Sequence, residues 1–136
     1  MPKSLTTAND TLDAFLRAVD PSWRAGATRY IALHTADPAN AGTQLTSEAT
    51  YTGYARVAVT AATGFSAASA GASQNTGLIQ FPQCTGGTNV ITHVSIGTAT
   101  TGAGQIIYRG ALNASLSVAN LIQPQFSIGS LTATEQ

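Results

Sequence analysis

The chain has 136 residues, and its six basic and six acidic side chains cancel to a formal net charge of zero at a charged fraction of only 9%. That fraction is well below the roughly 25% of ordinary soluble domains. It leaves no cluster of Lys and Arg to neutralise phosphates, so no nucleic-acid partner is expected. The length fits a single domain, 1–136, which can bury roughly two thirds of the surface its unfolded chain exposes without a disulfide or a metal.

Cys84 is the single cysteine; it cannot form an intrachain disulfide and reads as a small buried hydrophobe. No apolar run approaches the ~20 residues that span a bilayer, and the opening "MPKSLTTAND" lacks the apolar stretch of a secretory signal. The expectation is a protein made and used without Sec export and with no membrane partner. Low charge also means weak mutual repulsion, which points to a surface covered in an assembly or else solvated by hydroxyls.

The first element, within "TTANDTLDAFLRAVDPSW", reads as a short amphipathic helix over about 7–19. Leu12, Phe15, Leu16 and Val19 fall at i, i+3, i+4 and i+7, on one face at 3.6 residues per turn. Thr7 or Asn9 can cap its start, Asp10 and Asp13 suit its positive end, Arg17 suits the other, and Pro21 stops it. The stripe is expected to face the core. As an N-terminal helix it would also serve as a docking arm.

From about residue 28 onward the pattern turns to β. "TRYIALHT", "YARVAVT", "GLIQFP", "NVITHVSIGTA", "QIIYRGAL" and "QPQFSIGSL" are short runs rich in Ile, Val, Tyr, Phe and Thr, separated by Gly, Pro, Asn and Ala. The expected fold is mainly β: a single-domain, jelly-roll-like β-sandwich with one short N-terminal α-helix. The connections 36–53 and 61–77 are long and rich in Ala, Ser, Thr and Gly, and loops of that length are expected to contact neighbours. "GTATTGAG" (97–104) has neither the P-loop nor the dinucleotide-binding spacing and reads as a hairpin connection.

The titratable candidates for chemistry are few. Asp10, Asp13 and Asp20 sit on or beside the helix and Glu135 near the C-terminus, which leaves His34, Asp37, Glu48 and His93. His34 and His93 could meet across a sheet, with Asp37 or Glu48 completing a metal site, but the spacing matches no zinc motif. No GxSxG elbow accompanies the abundant serines. We therefore expect no catalytic residue, no metal ligand and no cofactor. Trp23, Tyr30, Tyr51, Tyr54 and Tyr108 could offer stacking faces, although strand tyrosines more often pack on their sheet. In "YIALHTADP" (30–38), His34 and Asp37 read as the point where a strand exits into a turn capped by Asp37 before Pro38.

The colinear order of "LDAFLRAV", "YIALHTADPANAGT", Glu48, "GYARVAV", "QNTGLIQFPQCTGG" and "VITHVSIGTATTGAGQIIYRGAL" resembles a family of small tailed-phage virion proteins, over roughly residues 5–133. Members are often labelled tail fibre proteins and are similar in size and fold to capsid cement or decoration proteins. The resemblance implies a structural, non-enzymatic component. Its first form is a capsid cement protein on the outer capsid surface, made in the bacterial host cytoplasm. Its partners would be the phage major capsid protein and further copies of itself, as a dimer or trimer. The loops 36–53 and 61–77 would make the contacts. The alternative is a tail fibre or tail-tip component with Trp23, Tyr51 and Tyr54 on a host-binding face.

Overall fold

The computed structural model describes residues 1–135. The chain begins with helix α1, Leu5–Arg17, shifted two residues toward the N-terminus from the expected 7–19. Ser4, not Thr7 or Asn9, is the cap: its backbone is extended and its hydroxyl accepts the Thr7 N–H. Ala18 ends the helix before Pro21 is reached, by entering the left-handed region at φ 55°, from which its N–H reaches the Asp13 carbonyl. A short 3-10 turn, Ser22–Ala25, leads into the sheet.

Among the described residues eight strands follow: β1 Thr28–His34, β2 Val57–Thr60, β3 Ala72–Gln74, β4 Ile79–Gln80, β5 Asn89–Gly97, β6 Ile106–Val118, β7 Gln125–Phe126 and β8 Thr132–Thr134. The protein is mainly β with one α-helix, as its sequence indicates. Four strands form an antiparallel sheet in the order β2-β1-β5-β6. The others pair as two separate antiparallel ribbons, β3 with β8 and β4 with β7.

Register explains which side chains are buried. Ile31 lies opposite Ile96 and Leu33 opposite Val94, while Ile31 also pairs with Val57. Because alternate residues share a face, this stacks a β-branched and aliphatic layer on one side of the sheet. Ile79, Phe81 and Leu131, from the ribbons and their connections, close that layer into the core with Tyr51, Cys84, Ile91 and Val118. Phe81 is fully buried, stacked on Tyr54 at 6.3 Å between ring centres and edge-on to Phe126 at the same distance. A fully buried side chain of this kind contributes ~1.5–3 kcal/mol.

The second face of β1 and β5 is also covered. Ala32 pairs with Ser95 and His34 with His93, and Ala32, His34 and Ser95 have no exposed surface. The cover is the 36–53 segment, which crosses this face of the sheet. Segment 61–77 departs from the expected open loop: it contains β3, whose partner β8 lies in the polar "TATE" end of the chain.

Candidate functional site

His34 sits at the end of β1 with both ring nitrogens engaged. Nδ1 lies 2.8 Å from the Thr46 carbonyl oxygen and Nε2 lies 2.8 Å from Ser95 Oγ. A carbonyl can only accept, so Nδ1 carries the proton and Nε2 accepts from the serine hydroxyl. Burial holds the imidazole below its ordinary pKa, partly offset by the Thr46 bond, and the ring is neutral. A serine–histidine pair is thus present, yet neither residue reaches the surface and the third group is a carbonyl, not a carboxylate.

The sheet does place His93 opposite His34, as the sequence suggested. Its ring takes the Thr92 hydroxyl at 2.9 Å, and no group of three His, Cys, Asp or Glu suited to a metal occurs among the described residues. Asp37 turns instead to local structure. Its carboxylate accepts the Ala39 N–H at 2.9 Å and pairs with Arg109. The first of these bonds, with the Arg109 guanidinium, holds its pKa below the ordinary carboxylate range against the opposing effect of burial.

Glu48 and Arg56 form the deepest ion pair. Arg56 Nε and Nη2 meet the two carboxylate oxygens at 2.6 and 2.8 Å, and the two side chains are only 2% and 12% exposed. Arg56 also donates from Nη1 to the Ala99 carbonyl at 2.9 Å and from Nη2 to the Gly102 carbonyl at 2.6 Å. Tyr54 donates to Glu48 at 3.0 Å and accepts the Leu33 N–H at 3.1 Å. Burial, the largest influence, raises its phenol pKa well above the usual range.

Gln44 completes the arrangement. Its amide donates to the Tyr30 carbonyl at 2.9 Å and accepts the Ala99 N–H at 3.1 Å, and the residue is fully buried. The slot exists because Gly97 and Gly104 lack side chains: a methyl on Gly97 would stand 2.1 Å from the Gln44 side chain, and one on Gly104 would stand 2.3 Å from it. The segment 36–53 is therefore a strap tied at Asp37, Asn40, Gln44, Thr46 and Glu48 to strands β1 and β6, to Arg56 just before β2 and to the β5–β6 connection. The long connection is thus fixed in place and not an adaptable loop.

The aromatic candidates are likewise occupied. Tyr51 is buried, donates to the Pro82 carbonyl at 2.9 Å and packs edge-on to Tyr54 at 5.4 Å. Trp23 donates its indole N–H to Asp10 at 3.1 Å. A stacking face built from Tyr51, Tyr54 and Trp23 does not form.

What the structure leaves uncovered is the stripe on α1. Ser4 and Thr7 both donate to the Ile106 carbonyl at 2.7 Å, and Gln105 donates to Thr7 and Asp10 at 2.8 Å. The polar face of the helix is thereby turned to the sheet. Leu12, Phe15, Leu16 and Val19 stand 56%, 82%, 80% and 46% exposed, so the expected core-facing stripe faces solvent. Scattered exposed hydrophobes are ordinary, but a contiguous apolar helix face marks an interaction surface.

Residues 2–134 match the family described as podophage GP4 fiber I protein gp80. The chain belongs to this family. No curated protein matches it in sequence. Membership in a phage fiber I family makes this a virion structural protein, and it gives the sequence signatures a physical meaning. In this fiber I family member, "ALHTADP" supplies His34 and Asp37, "GYAR" supplies Tyr54 and Arg56, and "THVSIGTA" supplies Ser95, Gly97 and Ala99. All of these hold the strap in place. No helix among the described residues is long and apolar enough to cross a membrane. Sequence reading passed over Gln44, Arg56 and Arg109. The available signal was the single Gln of the 36–53 segment and two Arg inside or beside apolar β runs, where a buried long polar side chain must find a partner.

Proposed function

We propose that this chain is a non-enzymatic building block of a podophage fibre, acting by surface contact alone. The observation that carries the reading is the division of labour between side chains. The groups that could do chemistry, His34, Ser95, Glu48 and Arg56, are buried and spent on tying backbone segments together. The most exposed large apolar side chains, Phe15 and Leu16, stand with Leu12 on the outside of one helix. A general base must reach the proton that it removes, and an enclosed histidine reaches none. A virion part has the opposite requirement, a rigid body with an adhesive face.

A second reading, a cement protein clamping the major capsid protein on the outer capsid surface, is favoured by the 9% charged fraction, which suits a subunit packed into a lattice. Copy number separates the two. Quantitative mass spectrometry of purified particles should give a number set by the tail's symmetry, and phage lacking the gene should lose adsorption while their heads resist heat as before. A copy number set by the capsid lattice, with heat-sensitive heads and normal adsorption, replaces the fibre reading with the cement one.

A further inference from the structure

Five of the six basic side chains each meet a carboxylate: Lys3 with Glu135, Arg17 with Asp13, Arg24 with Asp20, Arg56 with Glu48 and Arg109 with Asp37. Arg29 is the exception among the described residues. Its Nη1 donates to the carbonyls of Gly26 at 3.0 Å and Thr28 at 3.2 Å, and its Nε and Nη2 have no partner among the described residues. Burial lowers its pKa, the mark of a cation held partly out of water without a counter-charge.

The pleat places this cation on the apolar side. Arg29 alternates with Ile31 and Leu33 along β1, so it shares the core face of the sheet, opposite Val59 of β2. Between that face and the β3–β8 ribbon lies a cavity of about 140 Å³, lined by Phe65, Ile96, Ile107, Tyr108 and Ala133 together with Arg29. The hydroxyls there are already spent. Tyr108 donates to Glu135, and Ser73, on the ribbon side, donates to the Ser66 carbonyl at 2.8 Å. The Glu135 carboxylate is itself met by Lys3 at 2.6 Å, which offsets its repulsion of a second anion. Arg29 is the polar group of the cavity still open to a ligand.

We propose that this cavity receives one apolar side chain of a partner protein whose adjoining residue is acidic, the side chain filling the space beside Phe65 and Tyr108 and the carboxylate closing on Arg29. Size argues for the first half. Sites for drug-sized molecules span ~300–1,000 Å³, whereas this one holds a single aliphatic or aromatic side chain. Charge argues for the second half. Nε and Nη2 are the pair of donors with which Arg56 grips both oxygens of Glu48, and in Arg29 the same pair is unoccupied. A phosphate would satisfy the guanidinium but bring nothing to fill the apolar space, and a neutral side chain would fill the space but leave the cation without its counter-charge. A pocket seating one anchor beside an arginine is the form taken by the few residues that dominate protein–protein contacts. The inference does not depend on whether the chain sits on the tail or the head.

The test titrates the isotope-labelled full-length chain with N-acetyl-Leu-Glu-amide and N-acetyl-Phe-Glu-amide, followed by NMR. Saturable shifts are expected at Ile96, Ile107 and Ala133 and at the Arg29 Nε–H. Peptides with Gln in place of Glu, and the original peptides on Arg29→Gln, should bind at least about tenfold more weakly, the loss expected for a charge-assisted pair. Ala133→Leu fills the cavity and leaves Arg29 in place; it should abolish the shifts with melting temperature retained, and so answers the case in which Arg29→Gln disturbs β1. Isovalerate carries an apolar body and a carboxylate without a peptide backbone, and should bind more weakly than either peptide. Absence of saturable shifts with both peptides, equal affinity for the Glu and Gln forms, full binding by a folded Ala133→Leu, or isovalerate binding as tightly as the peptides overturns the proposal.

Discussion

The strap, 36–53, and helix α1 invert what their compositions suggest. The strap is a polar stretch whose Gln44 and Pro38 are buried and whose Glu48 holds a nearly enclosed arginine; the helix carries the chain's clearest apolar stripe and shows it to solvent. The difference teaches that burial follows the hydrogen bonds a segment can complete, not its mean polarity. Gln44 can be buried because Gly97 and Gly104 open a slot, and Glu48 can be nearly enclosed because Arg56 meets its carboxylate. The helix is turned outward because its hydroxyl side chains, Ser4 and Thr7, find the Ile106 carbonyl.

The strongest way to break the contrast is Arg56→Ala. It leaves the Glu48 carboxylate buried without its counter-charge and frees the carbonyls of Ala99 and Gly102. Removing one partner of a buried pair costs ~3–5 kcal/mol. Urea denaturation should show a fall in unfolding free energy of that size, and a change inside experimental error would mean that the strap is not structural.

Gly97→Ala follows. The added methyl meets the Gln44 side chain, and overpacking of this kind costs ~1–3 kcal/mol. If the slot is the cause, the double variant Gly97→Ala with Gln44→Ala should be less damaging than the sum of the two single changes. Strict additivity in a double-mutant cycle would deny the coupling.

Stability against pH gives a smaller effect on the same region. Burial keeps His34 below its ordinary 6.5, so the unfolded chain takes up a proton that the folded chain resists. The stability it contributes is complete above 6.5 and is lost as pH falls from there toward the lowered value. Melting temperature should decline through that window, and His34→Gln should flatten the decline. An unaltered slope in that variant would remove His34 from the account. Asp37, held low by Ala39 and Arg109, adds its own loss only in stronger acid, as pH falls through its lowered value.

On the helix the expected effect is smallest. Phe15→Ala removes a ring that touches little of its own chain, and under dilute conditions stability should change by less than ~0.5 kcal/mol. A loss comparable to that of Gly97→Ala would show that the face is packed within the subunit.

These regions also mark how far the sequence could be read. Strands β1, β2, β5 and β6 were legible because β-branched and aliphatic residues alternate over enough length, and "YIALHT" carried the signature of a strand covered on both sides. Strands β3 and β8 were not: Ala72–Gln74 and Thr132–Thr134 have little β preference of their own and exist through pairing with one another across most of the C-terminal half. The helix was legible as amphipathic, but periodicity states only that one face is apolar. The direction it faces was decided by Ile106, a residue far along the chain. The strap was illegible for a related reason, since the glycines that admit Gln44 lie on another strand and its hairpin.

The measurement that bears most directly on the central claim, that α1 is the contact surface and the strap is internal scaffolding, is hydroxyl-radical footprinting of the free chain at high dilution against the same chain in intact particles. The account predicts that Leu12, Phe15 and Leu16 are oxidised in the dilute chain and protected in the particle, while Leu45, exposed on the strap, is labelled alike in both. Protection at Leu45 with unchanged labelling of the helix would contradict it.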